Sequence, residues 1–335
     1  MRVRWLVSGS VLMTTLIAGL VVPGLAAGQT ADTGSALRTP WGDPNLQGVW
    51  NYSTLTPMER PSAWADKPSL TTEEAVAFAA AERQRQNRDL IDSSAGGLLY
   101  APESDGGVVP YNEFWYDRGT TVISSTSLII DPPNGRFPPM TPAGEISAEE
   151  RREVRRQEQR GKPRADGPEN RGLGNRCITR TLPRTPGPYN NNYHIVQTAE
   201  YVAILAEMNH DTRIIPLVDR PHLPQDLRQW LGSSRAHWEG DALVVETVNL
   251  REGARGVSKN AKLVERFTRA ATDRIDYEVT VDDPATWTES WTAAFPLTQS
   301  HDQVYEYACH EGNYSMATIL AGARRDEMAV EKAAR

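Results

Sequence analysis

This 335-residue chain is short of several features that would point to a function. It has two cysteines, Cys177 and Cys309, too few for a thiol-rich metal site or a disulfide-dense scaffold. No segment after the N-terminus is apolar for long enough to span a bilayer. The charge balance is acidic, −7 net, which argues against a nucleic-acid partner. A phosphate loop, a dinucleotide fingerprint, a serine elbow and a haem-attachment motif are all missing, so no cofactor is expected. His-x-x-x-His spacing is missing too, so no metal is expected.

The N-terminus carries a positive start at Arg2 and Arg4, an apolar run from Leu6 to Val22, and small residues at Ala26–Gly28. That order is the chemistry of a cleaved secretory signal. Residues 1–28 therefore read as a signal peptide, 29–45 as a flexible lead-in, and 46–335 as a single β-rich domain. The expected location is periplasmic or secreted, with no transmembrane segment in the mature chain. In an oxidising compartment Cys177 and Cys309 are expected to pair.

Helix signals are few. Ser69–Leu90 has a capping box at Thr71 and Glu74. Ser147–Arg160 is almost wholly charged, with a second box at Ser147 and Glu150, and sits in a charged helix-and-linker insertion over 146–172. Pro224–Leu231 reads as a short helical insertion and Met316–Arg335 as a terminal helix. Strands are expected at Leu46–Tyr52, within Thr120–Ile130, and then in a series: 193–197, 201–208, 213–218, 234–238, 242–249, 262–269, 274–281, 286–296 and 304–309. Asn134–Gly135 is the strongest hairpin cue. Short turns without intervening long helices predict a mainly β fold, an antiparallel meander closing into a calycin/lipocalin-like barrel with an N-terminal helical wrap and a C-terminal helix.

Gly48-Val49-Trp50 resembles the Gly-X-Trp that marks the first strand of lipocalin-type barrels. More broadly, the chain resembles a widespread family of exported bacterial proteins. The resemblance rests on Trp41–Trp50, Ser127–Pro133, Pro188–Tyr193, Arg220–His222 and Tyr305–Tyr314, and covers nearly the whole mature chain. It implies membership and export but no particular reaction. Where that pattern has Gly-Asp-Ser-Arg-Gly, this chain has Gly232-Ser233-Ser234-Arg235-Ala236.

Two polar constellations stand out. If strands simply alternate in direction, Tyr189–Asn192, the turn at 209–212, Glu239–Asp241 and the turn near His301 share one barrel end. The first constellation is then Tyr189, Asn190, Asn191, Asn192, His194, His210, Asp211 and Arg213. Asn amides and an arginine hold an oxyanion, and His210 or Tyr189 moves a proton. The second, at the opposite end, is Arg176, His222, His310 and Glu311, gathered by the disulfide. The expected function is an exported enzyme doing cofactor-free acid–base chemistry, a lyase, isomerase or hydrolase acting on a small organic or carbohydrate substrate. The alternative is a non-enzymatic periplasmic protein holding a small-molecule or glycan ligand in the barrel. No motif specifies an oligomeric state.

Overall fold

A computed structural model describes residues 37–90, 112–159, 165–218 and 220–334. The expected signal peptide lies outside these residues. The fold is mainly β. A ten-stranded sheet comprises β1 (Gly48–Asn51), β2 (Ile129–Asp131), β3 (Asn192–Gln197), β4 (Tyr201–Ala206), β5 (Asp211–Pro216), β6 (Ser233–Glu239), β7 (Ala242–Val248), β8 (Lys262–Ala271), β9 (Arg274–Asp282) and β10 (Trp291–Ser300). Neighbours run β5-β4-β3-β1-β10-β9-β8-β7-β6, with β2 on β10, and every ladder between these strands is antiparallel. Read from β1, this is a meander that returns to its first strand. It is the antiparallel barrel expected.

Parity shapes the one break in that barrel. The path holds nine strands; with an odd number, the two edge strands β5 and β6 must run the same way. They come alongside each other, and a parallel step needs a crossover of a dozen or more residues. The connection over 217–232 is that crossover. It returns the chain from the end where β5 finishes to the end where β6 begins. Strict alternation therefore fails after β5. The Glu239–Asp241 turn and His301 lie at the opposite end from Asn192, not with it, because Ser233 pairs Val248 at the Asn192 end and Ser300 pairs Val49 at the other. We call the Asn192 end the rim and the Gly48 end the floor.

Period-two alternation fills the interior. Tyr193, Ile195, Ile204, Ile215, Leu243, Leu263, Phe267, Ile275, Tyr277, Val279, Trp291, Phe295 and Leu297 are all buried. Ring centroids lie 4.8 Å apart for Tyr52–Tyr193, 4.8 Å for Phe267–Tyr277 and 4.9 Å for Tyr277–Phe295. The void between Tyr193, Ile204 and Arg213 is only about 10 Å³, less than a ligand needs. The floor is shut as well. Trp50 is fully buried, donates its indole N–H to Leu46 O at 2.8 Å, and lies 4.6 Å beneath the Arg269 guanidinium.

Helices lie outside the barrel. The first, α1 (Thr72–Gln86), has the expected Thr71–Glu74 capping box. The charged helix α2 spans Pro142–Gln159, five residues earlier than the Ser147 box predicts. Its true start is Thr141, whose hydroxyl accepts from Gly144 N at 3.0 Å. Gly144 lies so close to the Thr286 carbonyl that no side chain fits there, and Ala148 is buried. The helix is thus docked through Gly144 and Ala148, while Pro142, Ala143, Glu145 and Ile146 on the same turns face water. The C-terminal helix α3 spans Tyr314–Ala334.

Other local expectations fail for identifiable reasons. Pro224–Leu231 is not helical: Asn249 Nδ2 holds the Leu223 and Pro224 carbonyls at 2.6 and 3.2 Å, and the segment stays a loop. Asn134–Gly135 makes no hairpin, because the prolines after Phe137 cannot donate to a ladder; instead Gly135 O accepts from Arg60 N at 2.8 Å and β2 pairs β10. The strand expected at 286–296 begins at Trp291, and 304–309 is not a strand. Cys177 and Cys309 form the disulfide, Cα atoms 5.6 Å apart.

Candidate functional site

The rim is shaped by two loops. One runs from Thr179 to Asn191; the other, over 249–261, joins β7 to β8. Asp211 latches the first. Its carboxylate accepts from Thr179 Oγ1 at 2.7 Å and Arg180 N at 3.3 Å, and pairs with Arg184. Asn191 bends the far end, because its amide donates to Asp117 O at 2.7 Å and Gly187 O at 3.0 Å while accepting from Gly187 N at 2.8 Å. Asn190 takes the left-handed backbone, φ 56°, that Asn tolerates.

Between these loops lies a cavity of about 330 Å³. Three arginines line it: Arg180, Arg184 and Arg255. Tyr52, Tyr189 and Asn190 add hydroxyl and amide groups, and Pro183, Pro188 and Met208 add apolar wall. Among the described residues, no Asp, Glu or His lines it. Arg184 is buried; one of its amines faces Asp211, while its Nε has no hydrogen-bond partner among the described residues. Arg255 donates from Nε to Thr185 Oγ1 at 2.6 Å, and desolvation lowers the basicity of its head group. Tyr52 is buried, and burial pushes its phenol up to about 12, opposed by the Arg184 charge and aided by Glu207. The phenol is therefore a proton-bearing donor at any ordinary pH. Convergent donors without a carboxylate make this an anion-binding arrangement. They are unsuited to ligating a metal cation.

The first expected constellation is only partly gathered here. Tyr189, Asn190 and Asn191 line the cavity, but the Asn191 amide is spent on the loop. The Asn192 side chain accepts from Asn51 at 3.0 Å and donates to Glu207 at 2.8 Å. Asp211 stands behind Arg184 as its partner. His210 is an exposed turn residue with φ 40° and is not part of the lining. Arg213 points the other way, into the barrel, where it pairs with Glu265; Tyr277 Oη donates to the same carboxylate at 2.9 Å. Alternation explains that reversal, since Arg213 shares the inward face with Ile215. His194 faces outward, between buried Tyr193 and Ile195.

In the second constellation, the disulfide ties the chain beside Arg176 to His310 and Glu311. The His222 ring instead lies 3.4 Å from Ser233 Oγ and 3.2 Å from Glu246 Oε1. Among the described residues no three His, Cys, Asp or Glu side chains converge as a ligand set. Sequence reasoning missed Arg180, Arg184, Arg255 and Tyr52. Three lie in irregular loops, where no periodic signal places a side chain, and Tyr52 follows a short strand.

Fold and site together define an antiparallel β-barrel protein with an arginine-lined rim. No family model and no curated protein matches this chain. Among solved structures, a point mutant of the fluorescent protein UnaG matches at 13% identity, over 33% of this chain and 72% of its own, with a TM-score of 0.21. At that score the likeness carries no argument about ligand or activity. No helix among the described residues is long and apolar enough to cross a membrane.

Proposed function

We propose that this is an exported binding protein for a small organic anion, held on the barrel rim and not within the barrel. The observation that carries the reading is the convergence of Arg180, Arg184 and Arg255 on one cavity with no carboxylate in its described lining. Arg184 is balanced by Asp211, which leaves a local excess of positive charge on a protein that is acidic as a whole. Tyr52 adds a phenol that stays protonated as a donor. The packed interior removes the usual place for an apolar cargo. Export rests on the N-terminal leader and agrees with the disulfide.

Calorimetric titration with mono- and dicarboxylates and their neutral amides tests this. A carboxylate is expected to bind, its amide to bind at least tenfold more weakly, and Arg255→Met to cost a similar factor, since a hydrogen bond to a charged group is worth about 1.5–3 kcal/mol. Equal binding of acid and amide, unchanged by Arg255→Met, overturns the reading.

An acid–base enzyme is the second reading, favoured by one observation: the Tyr52 and Tyr189 phenols line the same cavity as the guanidinium groups. A lyase, isomerase or hydrolase also needs a base. The described lining has no group that accepts a proton near neutral pH, which puts binding first. Turnover of a bound carboxylate that Tyr189→Phe abolishes without weakening its binding reverses that order.

A further inference from the structure

Beside the rim cavity lies a second one, of about 470 Å³. The two share the segment Gly187-Pro188-Tyr189 as a common wall. The second cavity resembles the first in being lined by three arginines, Arg85, Arg88 and Arg118. It differs in holding one carboxylate, Glu82, which accepts from Arg85 Nη2 at 2.7 Å and from Gln86 Nε2 at 2.8 Å. Arg118 is held firmly: Tyr116 lies 3.8 Å from its guanidinium and Glu113 accepts from it at 2.5 Å. Leu55, Pro57 and Pro186 supply apolar surface, and Thr54 and Gln86 supply polar groups. Tyr189 stands between the two guanidinium clusters, half-buried, its ring centroid 6.3 Å from that of Tyr116.

We propose that the two cavities are successive subsites for an acidic oligosaccharide, a chain of uronate-type sugars that crosses Tyr189. This rests on the rim cavity being an anion site and extends it. A linear uronate chain presents one carboxylate per ring, so guanidinium groups on both sides of a ridge meet charges that recur along the ligand. The C–H face of a pyranose is apolar and flat, and it lies against an aromatic ring such as Tyr189. Hydroxyl groups around the same sugar match the amides and hydroxyls of Asn190, Gln86 and Thr54. A short anion needs only one subsite. An oligomer gains from both, because the second contact is made intramolecularly.

The test is calorimetric titration with galacturonate, its trimer and its hexamer, a neutral glucose hexamer and a hexaglutamate peptide. The hexamer of galacturonate is expected to bind at least tenfold more tightly than the monomer, and the neutral hexamer not at all. Arg118→Gln, which lines the second cavity and not the first, should weaken the hexamer about tenfold and the monomer less than twofold. Arg85→Gln, an exposed position on α1, should do the same, so that loss of folding in one variant leaves the other to decide. A monomer and hexamer of equal affinity, both weakened by Arg255→Met, would overturn the second subsite while leaving the rim site standing. Hexaglutamate binding as tightly as the uronate hexamer would overturn the sugar assignment. If simple carboxylates bind but no uronate does, the proposal fails and the rim reading survives; if no anion binds, both fail.

Discussion

Arg213 and Arg255 are the same residue type in opposite settings. Arg213 sits inside the barrel with its charge matched by Glu265 and its partner steadied by Tyr277. The surrounding aromatic core leaves no room for a third party. Arg255 sits on the rim with a neutral partner, Thr185, and faces a cavity shared with two further arginines. Burying an ion pair is repaid only when its geometry satisfies both members, so Arg213 reads as structure. On the rim Asp211 balances Arg184 alone, and Arg255 keeps a positive charge that only an anion would match, so the rim reads as a site. Pairing, more than residue type or position, separates the two roles.

The sharpest way to break that contrast is to remove the Arg213 counter-charge. Glu265→Gln leaves a buried guanidinium uncompensated and is expected to cost about 3–5 kcal/mol in urea unfolding, whereas Arg213→Met with Glu265→Leu should recover most of it. Anion binding at the rim should be unchanged in the double variant. A single variant as stable as the parent would show that the pair is not structural.

Next in size is the disulfide. The segment Thr179–Arg184, which brings two rim arginines, starts two residues beyond Cys177. Replacing Cys177 and Cys309 by Ser is expected to cost about 2–4 kcal/mol, and to weaken rim binding more than Glu265→Gln does. Thermal unfolding and calorimetry on the same variant separate the two effects.

Alkaline pH acts on the tyrosines at the boundary between core and rim. Tyr52 titrates near 10 when unfolded and at about 12 when folded. Its phenol is neutral in both states below pH 10, and that stabilisation is intact there. Between pH 10 and 12 the unfolded chain loses the proton first, so stability falls as pH rises, by roughly 3 kcal/mol for this group. Tyr193 and Tyr277, also raised by burial, act with the same sign. Denaturation midpoints across that window, with Tyr52→Phe as the flatter control, measure it; a flat parent profile would contradict the burial of these phenols.

The smallest effect is expected at His210. It is exposed, in a turn, and outside the rim lining. His210→Ala should change stability by less than about 1 kcal/mol and leave anion affinity within twofold. A larger loss of binding would return His210 to the site.

Much of the barrel was legible in the chain because alternation and turn chemistry are local. Ile195, Ile204, Phe267, Tyr277 and Phe295 each fall on the inward face that a period of two demands. The Thr71–Glu74 cap is likewise a matter of three-residue spacing. The site was less legible. Asn191 and His210 drew attention as chemically able residues, yet each serves a turn. Arg180 and Arg255 had no pattern to mark them, because loops carry no period.

What the sequence determined by itself, then, is the class of fold, most strand positions, the first helix and the pairing of the two cysteines. All follow from short-range periodicity, capping or a choice with a single partner. Only the tertiary structure decided which end is which and where charge remains unmatched. An odd number of strands forces β5 and β6 parallel, and the crossover that follows reverses every later turn. The same three-dimensional closure turns Arg213 inward onto Glu265, 52 residues away, and carries Arg184 and Arg255 from separate loops to one cavity. Contacts between distant segments depend on register and closure, which no local pattern contains.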